Sequence, residues 1–176
     1  MDAEAVKNLI RDAFSNVEFP GDWCLRGSNE GEEPYLLEKE FAGKNDWRAL
    51  DPSFHDQAPG GYASALSFFS DEAFRFYLPA YLIADIDGCL SSTTPVFHLT
   101  HSFEDRAKTE KLNPRRYGER TWFESARHKF AMFDQSQAAA IVAYLQFKRE
   151  TDEFARPMID QALENYWRDR ADNRAG

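Results

Sequence analysis

Only two cysteines, Cys24 and Cys89, occur in the 176 residues, and neither takes part in the short spacing that structural zinc sites use. A disulfide-stapled fold is not expected. The N-terminal Met1-Asp2-Ala3-Glu4 has neither a basic region nor an apolar one, so it does not read as a secretory signal. Two reduced thiols in the cytoplasm are the expectation. The chain also lacks an apolar run of the ~20 residues that cross a bilayer. It has no Gly-x-Ser-x-Gly, and Pro59-Gly60-Gly61 lacks both the length and the lysine of a phosphate-cradling loop. Neither cysteine has a His and an Asn beside it in the sequence, as a thiol nucleophile would need. Positive charge is scarce. Lys and Arg number 21 against 30 Asp and Glu, for a net charge of −9 and a pI near 4.9. A general affinity for nucleic acid or for an anionic membrane is therefore not expected. No repeat, low-complexity run or linker divides the chain, so one globular domain over 1–176 is expected, with a tail that frays after about residue 170. No cofactor is expected.

Aromatic residues, by contrast, are abundant at 15%, with Phe dominant. They concentrate in Ser70 to Asp87. Ser70 is placed to cap a helix, and Asp71 and Glu72 suit the positive end of its dipole. Phe74, Phe76, Tyr77, Leu78, Tyr81, Leu82 and Ile83 then fall on every side of the helical wheel, the pattern of a helix buried all round. Pro79 cannot donate to the Arg75 carbonyl and crowds it, which predicts a kink or a break there. The fold class expected is mainly α, a compact domain around this buried, Pro-kinked helix, with at most a minor β element.

Other elements arrange themselves around it. Asp2 caps an amphipathic helix carrying Ala5, Val6, Leu9, Ile10, Ala13 and Phe14. Trp23-Cys24-Leu25 could be a short strand. Pro34 opens a second helix that Gly43 can end. Trp47, Leu50 and Phe54 suggest a short helical piece interrupted by Pro52, and Pro59-Gly60-Gly61 breaks the chain. Asp87-Gly88 closes the central helix. Val96 to Leu99 could be strand or helical turn. Phe123, Ala126, Phe130 and Phe133 form a helical stripe. Asp134 with Gln137 makes a capping box before a long helix to about Glu153. Pro157 opens or kinks a last helix carrying Met158, Ala162, Leu163, Tyr166 and Trp167.

Two blocks, Ala65 to Leu82 and Phe133 to Leu145 continued by Ala162 to Trp167, resemble a bacterial family of uncharacterised small proteins. The resemblance covers less than half of the chain. It implies a bacterial, cytoplasmic protein and carries no functional residue with it.

Four constellations could carry chemistry. Tyr81 to Ser92 resembles the first motif of the haloacid dehalogenase phosphatases. The resemblance implies Asp85 as nucleophile and Asp87 as general acid/base beside Mg²⁺. Cys89 departs from the usual Thr, the upstream run reads as a capped helix rather than a strand, and no second acidic motif follows. Without that chemistry, Asp85 and Asp87 are solvated acids at a helix end. His98 and His101 share a helical face, and Glu104 could join them on a metal; otherwise they are surface histidines. No cysteine- or serine-centred nucleophilic arrangement stands out. Finally, from Arg106 to Lys129 eight Lys or Arg stand against three Glu. Punctuated by Pro114 and Gly118, the stretch Arg106 to Arg120 reads as an exposed, mobile loop. Arg115, Arg116 and Arg120 are the candidate binding residues, because guanidinium forks grip carboxylate or phosphate with two bonds. A non-enzymatic binding protein of accessory or immunity type is therefore expected, its partner a protein or a small anionic ligand. A small metal-dependent hydrolase using Asp85 and Asp87 is the alternative.

Overall fold

Short side chains that accept from early helix N–H groups set where the helices begin. The computed structural model describes residues 1–51, 54 and 65–172. Asp2 accepts from the Ala5 N–H at 2.8 Å and opens α1, Ala3–Ala13. α2, Glu33–Phe41, has Pro34 in its first turn, and Gly43 lies past its end at φ 76°. α3, Asp71–Ile86, starts where Ser70 accepts from the Ala73 N–H at 3.0 Å. α4 is Pro95–Thr100, α5 Pro114–Tyr117 and α6 Trp122–Phe130. Asp134 and Gln137 form the capping box of α7, Gln135–Thr151. α8, Arg156–Ala162, passes through one wide π turn, Leu163–Trp167, into α9, Arg168–Ala171.

The protein is mainly α. Among the described residues the only β pairing is two isolated antiparallel bridges, Arg26 with Phe69 and Lys111 with Thr121. The strand expected around Trp23 is instead a 3₁₀ turn, Asp22–Cys24, and Val96 to Leu99 is helical within α4. No described helix is long and apolar enough to cross a membrane. Pro52, Pro59-Gly60-Gly61 and the tail beyond Asp172 lie outside the described residues.

Two compact units divide the chain, Ile10–Pro95 and Met1–Leu9 with Val96–Gly176. In the first, α3 runs unbroken through Pro79. An interior proline costs ~3 kcal/mol. Phe74, Tyr77, Leu78, Tyr81 and Leu82 are fully buried in the same helix, each contributing roughly 1.5–3 kcal/mol, which offsets it. Tyr77 is the hub. Its ring stacks on Phe69 at 4.9 Å and meets Phe41 and Phe76 edge-on at 4.9 Å. Its hydroxyl donates to the Lys44 carbonyl at 2.6 Å. Burial raises the Tyr77 pKa far above the ordinary tyrosine value, so the group stays a neutral donor. Tyr77→Phe keeps the ring and strands that carbonyl. A loss of about 1–2 kcal/mol in urea unfolding is expected, and an unchanged midpoint would show that the hydroxyl contributes nothing.

The end of α3 is a Schellman motif. The Cys89 N–H reaches the Ala84 carbonyl at 2.9 Å and the Gly88 N–H that of Asp85 at 3.1 Å. Gly88 adopts φ 69°, a left-handed position that suits glycine.

The second unit is built on a lattice of rings. Phe103 stacks on Tyr166 at 4.2 Å, and Trp167 meets Phe103, Phe130, Phe133 and Tyr166 edge-on. The Trp167 indole N–H donates to the Leu99 carbonyl, and Asn165 donates to that of Phe103, both at 2.8 Å.

Candidate functional site

The basic stretch forms a closed excursion in the second unit. Lys111 and Thr121 pair at its base, the Leu112 N–H donates to Arg120, and the Trp122 N–H donates to Glu110. Lys111 and Glu119 add an ion pair at 2.5 Å across the same neck. Beyond it, Asn113 accepts from the Arg115 N–H at 3.1 Å and starts α5. Gly118, at φ 62°, turns the chain back. Every residue from 113 to 120 is exposed, including Arg115, Arg116 and Arg120. The loop expected from the sequence is thus a pinned helical turn that holds these guanidiniums in solvent. The Arg116 head lies over the Tyr117 ring at 5.5 Å.

Beside the base of the excursion stand three rings. Phe97 and His101 are one helical turn apart, which brings their rings into a stack at 4.4 Å with planes 9° apart. Trp122 approaches His101 at 6.2 Å. Phe97 is 47% and Trp122 40% exposed. The excursion turns directly into Trp122, so the chain leads from Arg120 into the aromatic group.

Hydrogen bonds fix the His101 ring. Nδ1 lies 2.8 Å from the Phe97 carbonyl, which can only accept, so Nδ1 carries the proton. Nε2 is then an acceptor, and the Ser102 hydroxyl donates to it at 2.9 Å. Both nitrogens are engaged within the chain, unlike the free nitrogen of a metal ligand. Burial lowers the His101 pKa and Lys129 and Arg106 add to that, against the Phe97 bond and Glu104. His98 is pushed down to about 3, first by burial and then by Lys129 and His101. Glu104 turns one carboxylate oxygen to Arg106 at 3.1 Å; the other is buried with no partner among the described residues. His98, His101 and Glu104 do not converge. Among the described residues no three His, Cys, Asp or Glu side chains gather as a metal site.

Asp85 is half-buried on the last turn of α3, and Asp87 is its exposed C-cap. The residues leading into Asp85 are helical, unlike the strand that delivers the nucleophile in the phosphatase motif. Cys24 is half-buried and Cys89 exposed, both as free thiols.

Phe97, Ser102 and Trp122 were not marked as surface features by the sequence. The four-residue step from Phe97 to His101 is the one signal that could have placed them on a shared face. Taken together, the molecule is a mainly helical protein with an exposed basic excursion on an acidic chain. It belongs to a family of unknown function (DUF6714), whose model matches residues 2–171. No curated protein and no solved structure matches it.

Proposed function

We propose that this is a non-enzymatic binding protein that docks an acidic segment of a partner protein on the face formed by Arg115, Arg116 and Arg120 with Phe97, His101 and Trp122. The observation that carries the reading is the pinned excursion: a chain of net charge −9 holds every residue from 113 to 120 exposed. A partner of complementary charge is steered to this patch and repelled by the acidic remainder. Trp, Tyr and Arg are the residue types that dominate binding hot spots, and all three occur here. The free thiols support a reducing compartment, the cytoplasm. The hydrolase alternative would need Asp85 and Asp87 to share a metal, and the geometry at the α3 C-terminus offers it no support.

The test uses a fluorescent peptide of alternating Glu and Asp around one central Phe, followed by anisotropy. Binding that weakens with salt is expected, because exposed charges are screened within about 10 Å at 0.1 M. Arg115→Glu with Arg116→Glu should weaken it by at least about tenfold, some 1.4 kcal/mol, with the helical signal unchanged. A single-stranded oligonucleotide binding as tightly as the peptide would overturn the acidic-protein reading. So would a double variant that binds like the parent.

A further inference from the structure

An acidic segment with an aromatic residue in it is what the basic excursion fits, and the chain carries one of its own. α7 ends in Glu150 and Thr151, and Asp152, Glu153 and Phe154 follow before α8. Glu150, Thr151 and Glu153 are exposed. Phe154 is 97% exposed, more than any other large apolar side chain among the described residues. Its position is fixed. Asp152 accepts from the Phe154 and Ala155 N–H groups, both at 3.0 Å, and the neighbouring Ala155 is buried. Behind the tip, two N–H groups of Arg149 reach Asp160, and the Arg149 carbonyl accepts from Arg156 at 3.2 Å.

The acids of this tip stand at the unfavourable end of a helix. The carbonyl end of α7 carries partial negative charge, and Glu150, Asp152 and Glu153 add to it. Lys148 and Arg149 share the last turn, but Arg149 is engaged by Asp160. A cation brought from outside the chain therefore gains from both the acids and the helix end.

We propose that the acidic partner is a second copy of this chain, its Phe154 tip docked on the excursion that carries Arg115, Arg116 and Arg120. This rests on the binding role proposed above. Charge complementarity selects the occupant. The excursion offers three guanidiniums and the exposed ring of Tyr117, and the tip offers the exposed carboxylates of Glu150 and Glu153 beside the ring of Phe154. Guanidinium forks meet the two carboxylates, while Asp152 stays on its two N–H groups. Phe154 covers Tyr117, and both rings leave water. Tip and excursion are unlike patches, so a single contact leaves one of each unused. A two-fold pair of chains closes both.

Sedimentation equilibrium of the full chain tests the pairing. Two small patches make a weak contact, so concentrations from about 10 µM to about 1 mM are needed. The mean mass should rise with concentration at low salt and fall back toward one chain at about 0.5 M salt, where exposed charges are screened. Phe154→Ser should weaken association at least about tenfold. Glu153→Arg and Arg115→Glu should each weaken it too. An equimolar mixture of those two variants should associate more tightly than either alone, because a pair of unlike chains restores both contacts. All three positions are exposed, and far-UV dichroism checks that the helical signal is kept. The proposal falls if the chain keeps a single-chain mass at about 1 mM, if Phe154→Ser associates as the parent does, or if the mixture gains nothing over its components. A chain that stays single yet binds the acidic peptide overturns the pairing and leaves the binding role standing. A chain that does neither overturns both.

Discussion

Trp167→Ala is expected to lower stability by about 4 kcal/mol, the upper part of the range for buried aromatics. Trp167 is fully buried and stands at the centre of the rings of Phe103, Phe130, Phe133 and Tyr166. Truncation removes that packing and leaves a cavity too apolar for water to fill. It also strands the Leu99 carbonyl, which accepts from the indole N–H at 2.8 Å. Trp167→Phe separates the two effects, since it keeps most of the ring volume and loses the donor. About 1–2 kcal/mol should go with the donor and the rest with the packing. Urea unfolding read by far-UV dichroism measures both. A total loss under about 1 kcal/mol for the Ala variant would mean that the unit does not depend on this lattice for its stability.

Much of the fold is legible in local chemistry. Ser70, Asp134 and Gln137 mark helix starts because a short polar side chain has few other ways to satisfy the first N–H groups. Gly88 marks a stop because its φ is positive. Where the determinant is tertiary, the reading runs out. Leu9 falls on the α1 stripe, yet it is 42% exposed, while Val6, Ile10 and Phe14 are buried. Periodicity marks a face without fixing how wide the covered part is. The π turn at Leu163–Trp167 has no composition signal either. It is held by distant partners, the carbonyls of Leu99 and Phe103, which sequence spacing cannot show.

The candidate residues divide in the same way. Exposure of Arg115, Arg116 and Arg120 follows from a polar, Pro- and Gly-punctuated stretch with no apolar stripe. The neck that pins them does not, because Lys111 and Thr121 pair through backbone groups that every residue has. His98, His101 and Glu104 sit near one another along the chain, but ligand geometry depends on ring orientation. Here Phe97 and Ser102 orient His101 away from that role.

Between pH 6.5 and pH 4 the protein is expected to lose stability on the order of 3 kcal/mol through His98 alone. Its pKa falls from 6.5 in the unfolded chain to about 3 in the folded one. The cause is first burial and then the positive charge of Lys129 and the neighbouring His101. In that window the unfolded state binds the proton and the folded state does not. Stability therefore rises with pH, is fully present above 6.5, and is lost progressively as pH falls toward 3. His101, also lowered, adds to the loss in the same direction. The exposed ion pairs act elsewhere. Asp105 beside Lys108 and Asp160 beside Arg149 have carboxyls held below the usual value of 3.8, so their contribution fades only in stronger acid. His98→Gln keeps a polar side chain that does not titrate. Urea midpoints measured from pH 7 to pH 4 should fall steeply for the parent and clearly less for His98→Gln, with the residual slope left to His101. Parallel curves for the two proteins would show that His98 protonates as readily folded as unfolded, and that its burial carries no cost in acid.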